Sequence, residues 1–268
     1  MGKNSYIGVF DSGIGGLTVV KSIVTSMPNE NIVYFGDTAH VPYGTRSRHQ
    51  IMEYVLNDVE FLNTFDIKAI VIACNTADSI AKSRVEKLYP QPVFGVVDPA
   101  SKTAVEATEN GRIGIIATRA TVNSHSYDRA IAKYNADLTV LSAACPLLVP
   151  LVENGRYTPG DIVVDTILKE YLEPLVEQGI DTLVLGCTHY PLLAGAIRVL
   201  YPELNVISSS ESAAASLRHK LETSKLVNEE PGSTRRYFVS DDAVGFLQQA
   251  RVFMGDALGG TVEQVNVD

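Results

Sequence analysis

Cysteine is scarce in this 268-residue chain: there are three, Cys74, Cys145 and Cys187. They are too few and too scattered for a disulfide framework, so free thiols in a reducing, cytoplasmic compartment are expected. Basic charge is also short, with 22 Lys and Arg against 31 Asp and Glu and a net charge of -9. That deficit argues against nucleic acid as the main partner, because phosphate binding needs a basic footprint. No apolar run approaches the roughly 20 residues that span a bilayer, so no membrane partner is expected. "MGKNSYIGVF" shows no signal-peptide pattern, and Tyr6 stands where a myristoylation signal needs Ser or Thr.

Nucleotide motifs are missing too. No G-x-x-x-x-G-K-[ST] occurs, and a G-x-G-x-x-G begun by Gly13 and Gly15 would need its third glycine where Thr18 stands. A zinc site from Cys74, Cys187 and His189 lacks usual spacing and a second ligand pair, so no metal is expected. No lysine motif demands pyridoxal phosphate, and no cofactor is expected.

What is present is ordinary globular material, 46% apolar and 20% charged, long enough to bury a core. Strand and helix patterns alternate, which is the α/β signature. "YIGVF", "NIVYF", "AIVIA" and "VFGVV" read as strands, the last two suited to a parallel sheet covered on both faces. "RHQIMEYVLNDVEFLNTF" carries apolar residues 51, 55, 59 and 62 on one helical face.

The pattern then repeats. "GRIGIIAT" aligns with "SYIGVFDS", and "DLTVLSAA" with "NIVYFGDT", both at an offset of 106. "DTLVLGCTHYP" aligns with "KAIVIACNTAD", and "VISSSE" with "VFGVVD", both at an offset of 113. Shared offsets across four strands indicate two similar, pseudo-symmetric α/β domains with mostly parallel sheets and a site in the cleft between them. The expected division is 1–97 plus 211–268 for the first domain, completed by the returning tail, and 98–210 for the second. In the tail, "ESAAASLRHKLET" and "DDAVGFLQQARVFMG" read as helices and "RRYFVS" as a strand.

The alignment superposes Cys74 on Cys187, Asn75 on Thr188 and Thr76 on His189. Each cysteine closes its third strand, and ligands of open α/β sheets bind outside such strand ends. A helix starting just beyond supplies N–H donors and partial positive charge, with Pro191 expected at the first position of the second such helix. Buried cysteines are commonly small core hydrophobes, and Cys145, without polar company, is read so. Equivalent placement of the other two, each followed by Asn-Thr or Thr-His, favours chemistry instead.

Two acid–base groups facing each other across a cleft suit inversion of a carbon centre, which needs a base on one face and an acid on the other. A thiol, with an ordinary pKa of about 8.5, can serve in both roles. Asp11 and Ser12, in "FDSGIGG", stand at the end of strand one, where the alternative for Asp11 is a turn cap. His189 lies two residues beyond Cys187, and Pro42-Tyr43-Gly44 forms a turn that would offer backbone N–H groups and a phenol to an anionic ligand. Rival readings are an amino-acid-binding module with two lobes, which leaves the paired thiols unexplained, and a racemase of aspartate or another amino acid.

The pieces "GVFDSGIGGLTV", "GDTAHVPYG", "IACNTAD", "LGCTHYPLL" and "PLLVPLVENG", in that order, resemble those of the glutamate racemase family. The resemblance implies a cofactor-independent enzyme interconverting L- and D-glutamate and supplying D-glutamate for peptidoglycan. It implies Cys74 as base for D-glutamate and Cys187 for L-glutamate, with Asp11 and His189 assisting. Implied substrate contacts are Asp11 and Ser12, Tyr43 and Gly44, Asn75 and Thr76, and Thr188 and His189. Glu153 resembles a further acidic group near the site, and Thr118 and Thr121 match a ligand-side loop. The chain departs from the commoner pattern at His40, where many relatives have Arg, and at Ala100, where Gly is frequent. A homodimer is expected as the common oligomeric case.

Overall fold

The structure is a computed structural model that describes residues 2–267. In the first part of the chain β1 (Tyr6–Asp11) leads to α1 (Leu17–Ser26) and β2 (Ile32–Gly36) to α2 (Arg48–Leu62). Then β3 (Ile67–Ile72) leads to α3 (Asn75–Leu88), followed by β4 (Val93–Phe94) and α4 (Val97–Ala107). The alternation resumes with β5 (Arg112–Ala117), α5 (Arg119–Ser124), α6 (Ser126–Tyr134), β6 (Thr139–Ala144) and α7 (Leu148–Glu153). It continues through α8 (Ile162–Val176), β7 (Thr182–Gly186), α9 (Ala194–Leu200) and β8 (Asn205–Ser208). Last come α10 (Ser209–Thr223), β9 (Arg235–Val239), α11 (Ala243–Met254) and β10 (Thr261–Gln264).

These strands build two parallel sheets, a six-stranded one ordered β10-β9-β2-β1-β3-β4 and a four-stranded one ordered β6-β5-β7-β8. The run β2-β1-β3-β4 and the run β6-β5-β7-β8 are the same arrangement written twice, so the repeat in the sequence is a repeat of topology. The tail strand β9 pairs with β2, and β10 with β9, extending the first sheet at one edge. Strands β2, β3 and β7 are buried along their whole length, which accounts for their largely apolar sequences. Helix α2 is capped by Ser47, which accepts from the Gln50 N–H, and buries Ile51, Val55, Val59 and Leu62 as the spacing predicts. Lys68, buried in β3, pairs with buried Glu30 at 2.5 Å and donates to the Leu226 carbonyl. Glu30 in turn accepts from the Asn228 N–H, so this ion pair fastens the returning tail.

Two sequence readings change. "VFGVV" is a strand only at Val93–Phe94, because buried Asp78 of α3 accepts the N–H groups of Val96 and Val97 and thereby starts α4. Gly95 is required there, since a Cβ would collide with the Asp78 carboxylate. Pro191 is not the first residue of an α-helix: it is second in a 3-10 turn, Tyr190–Leu193, that precedes α9. The turn is tight because the Tyr190 N–H bonds the Cys187 carbonyl while its hydroxyl donates to the Cys145 carbonyl. Only the Cys74 side therefore has a full helix start beside its thiol.

Candidate active site

The segments following β1, β3, β5 and β7 converge on one cavity of about 650 Å³. Cys74 and Cys187 both border it and are 6% and 7% exposed. The paired strand ends thus open onto a common space at the meeting of the two sheets.

The surroundings of the two thiols differ. Cys74 is the residue before α3, and its Sγ donates to Ser12 Oγ at 3.6 Å. Burial, reinforced by the nearby Asp11 charge, pushes the thiol up to about 12, even though the Ala77 N–H and Ser12 favour the anion. The sulfur of Cys187 lies 3.9 Å from His189 Nδ1, and His189 Nε2 lies 2.9 Å from Glu153 Oε1. Burial works against charge on His189, but its hydrogen bonds with Cys187 and Glu153 outweigh that and lift it to about 10. Cys187, His189 and Glu153 therefore form a relay with a cationic ring at its centre, reaching the half-exposed Glu153.

Asp11 is buried and gives no surface to the cavity. One carboxylate oxygen accepts the Gly13 N–H at 3.1 Å and the other the Thr188 hydroxyl at 3.5 Å, so the turn-cap role is realised and extended to the opposite half. Burial raises its pKa, against the opposing pull of the His189 charge. Gly15 sits where a Cβ would collide with the Thr188 hydroxyl and meet the His189 ring at 2.6 Å. The glycines of "DSGIGG" thus serve close approach of the first loop to the second thiol-bearing loop.

Tyr43 borders the cavity, but its phenol is not offered to a ligand as the sequence suggested. The hydroxyl is 2.6 Å from Asp37 Oδ2 and 3.0 Å from Asp58 Oδ2, all three groups buried. Burial and the adjacent Asp37 raise the Asp58 pKa well above the usual carboxylate range. The Tyr43 hydroxyl is the donor to both carboxylates, so the phenol is held inside this buried cluster. Asp58, a carboxylate on the apolar face of α2, was not singled out from sequence; its place among Ile51, Val55 and Val59 was the available signal. His40 belongs to the same cluster, 2.9 Å from Asp37 Oδ1 and stacked on Tyr54, whereas Ala100 is buried in α4.

Asn75, Thr76, Gly44, Thr118, Thr188 and Ser12 all border the cavity. Thr76 and Thr118 share a hydroxyl bond of 2.9 Å across the two halves, and Gly44 packs close to Thr118. Thr121 is buried behind them, bonding Thr76 at 3.3 Å, and gives no cavity surface. The Asn75 carbonyl accepts from Tyr127, but its buried Nδ2 has no partner. Cys145 is fully buried with its Sγ donating to the Ala143 carbonyl, although its segment also borders the cavity. Arg46, Arg119 and Asn123, exposed at the rim, were not read from sequence, since rim residues follow no periodicity. Among the described residues no group of three or more His, Cys, Asp or Glu is arranged to hold a metal ion, and no helix is long and apolar enough to cross a membrane.

The profile of the Asp/Glu/Hydantoin racemase family matches residues 7–217. The chain belongs to that family. A glutamate racemase of Sulfurihydrogenibium sp. is 45% identical over 251 residues, covering 93% of this chain and 94% of the relative. A solved glutamate racemase of Bacillus anthracis superposes with a TM-score of 0.91 at 36% identity, over 98% of both chains. That of Francisella tularensis, in complex with D-glutamate, gives a TM-score of 0.91 at 37% identity, over 99% of both chains. In this racemase Glu153→Gln should remove charge that holds the His189 ring cationic. The alkaline limb of the kcat/KM profile should then move toward neutrality, with activity at pH 9 falling by about tenfold. An unchanged profile would detach Glu153 from the relay.

Proposed function

We propose that this racemase interconverts L- and D-glutamate by proton transfer between two thiols, without a cofactor, and supplies D-glutamate for peptidoglycan in the cytoplasm. The observation that carries the reading is that Cys74 and Cys187, at equivalent strand ends of a repeated fold, border one cavity. Cys187, backed by His189 and Glu153, takes the α-proton of L-glutamate, and Cys74 returns a proton to the opposite face. The reverse direction begins at Cys74, with Asp11 behind its loop. The domains enclosing the substrate are 1–97 with 211–268, and 98–210, acting in a homodimer.

The α-carbon of an amino acid is a very weak acid, so negative charge developing there needs fixed donors in a dry site. The unpartnered Nδ2 of Asn75 is such a donor, beside the N–H groups opening α3. Ser12, Thr76 and Thr188 add hydroxyls, and Gly44 and Tyr43 form the facing wall. Glutamate is favoured over aspartate by the relatives' substrate, including the D-glutamate held by the Francisella enzyme. Side chains differing by one methylene are separated by roughly 10- to 200-fold in kcat/KM. Racemisation of L-glutamate and L-aspartate by the same preparation should differ within that range in favour of glutamate. Equal or faster turnover of aspartate would overturn the substrate assignment.

A further inference from the structure

We infer that Tyr127 is a positioning residue of the reaction, aiming the Asn75 amide into the cavity and spacing the two thiol-bearing turns. The inference rests on the two-thiol reading above and goes beyond it, because Tyr127 gives the cavity no surface. Tyr127 lies on α6, in the half of the chain that carries Cys187, and is buried. Its hydroxyl crosses to the other half and donates to Asn75 Oδ1 at 2.7 Å. Asn75 directly follows Cys74. On its other side the Tyr127 ring fills the space above Gly186, where a Cβ would stand 3.1 Å from Cε2. Gly186 directly precedes Cys187. One rigid ring thus abuts the turns that hold both sulfurs.

The hydrogen bond also decides which end of an amide faces the ligand. A phenol proton claims the carbonyl oxygen, which leaves the NH2 group pointing elsewhere with no protein partner. An unpaired buried donor is costly, and bordering the cavity it is one that a substrate carboxylate satisfies. Burial keeps the Tyr127 pKa well above the ordinary phenol value, so the donor proton stays in place. The neighbouring bonds Ser79–Ser126, at 2.7 Å, and Thr76–Thr118, at 2.9 Å, stitch the same helix α3 to α5 and α6. The start of α3 is therefore held against the second half at three points, with Tyr127 nearest the two cysteines in sequence and packing.

Tyr127→Phe keeps the ring against Gly186 and deletes only the hydroxyl. The expected result is a rise in KM for both enantiomers of about three- to tenfold, with kcat changed less than about twofold. Tyr127→Leu, which also removes the spacer, should lower kcat by about tenfold in addition. The Asn75 side-chain amide signals in a 15N-resolved NMR spectrum should move in Tyr127→Phe without any ligand present. A melting temperature lowered in both variants with KM, kcat and the Asn75 signals unchanged would make Tyr127 a core residue only and overturn the inference. A folded wild-type protein that does not racemise glutamate would instead sink the proposed function. The Asn75 signals would still decide whether Tyr127 aims the amide.

Discussion

Replacing either active thiol, Cys74→Ser or Cys187→Ser, is expected to reduce racemisation in both directions by on the order of 10³-fold or more. A side chain that exchanges a proton in the transition state contributes about 10²- to 10⁴-fold, and a hydroxyl is a far poorer base than a thiolate. Loss of one partner must affect both directions, since the enantiomers are equally stable and kcat/KM has to fall equally for each. The two variants should nevertheless differ from one another. Cys187→Ser keeps Cys74, so D-glutamate in deuterated water should gain deuterium at the α-carbon with retention; Cys74→Ser should do the same for L-glutamate. Each substitution changes one nearly buried atom of similar size, so the melting temperature should barely move. Wild-type rates in both variants would mean that the thiols are not the acid–base pair.

The next largest effect is expected from Gly15→Ala, a change that replaces no proposed acid or base but crowds one. The added methyl would occupy space held by the Thr188 hydroxyl and the His189 ring. Both neighbours are buried, and His189 is tied on both sides, to Cys187 and to Glu153. The strain therefore has to be relieved by moving the imidazole away from the sulfur or by lifting the Ile14–Gly16 turn. Misplacement of a catalytic group by about 1 Å costs on the order of 10² in rate, so kcat should fall by about that factor. Stability should also drop, by roughly 1–3 kcal/mol as for other overpacked sites. Steady-state kinetics with thermal unfolding checks both; full activity would show that the loop yields freely.

Much of the architecture was legible because it is written twice. The offsets of 106 and 113 reflect two runs of four strands in the same order, one in each sheet, and the same alignment superposes the two cysteines that border one cavity. Period-based reading also found the buried face of α2, since Ile51, Val55, Val59 and Leu62 repeat at helical spacing. Strand β10 at the exposed edge was missed because "TVEQ" carries little apolar signal. Only the phenol of Tyr43 departs from the sequence reading, because it is claimed by two carboxylates, one of them, Asp58, on the neighbouring helix α2. For the same reason Thr76, Thr118 and Thr121 bond to one another across the halves, a partnership between segments that no local pattern announces. Chemistry carried by strand ends follows from topology; chemistry carried by long-range hydrogen bonds does not.

The central claim is that two sulfurs act from opposite faces of one carbon, and isotope placement early in the reaction tests it most directly. L-glutamate is incubated with the wild-type protein in deuterated water, without added cofactor, and stopped at a few per cent conversion. The D-glutamate formed should carry one deuterium at the α-carbon, while the recovered L-glutamate remains protiated. Deuterium appearing equally in product and recovered substrate would indicate a single base, and would contradict the account.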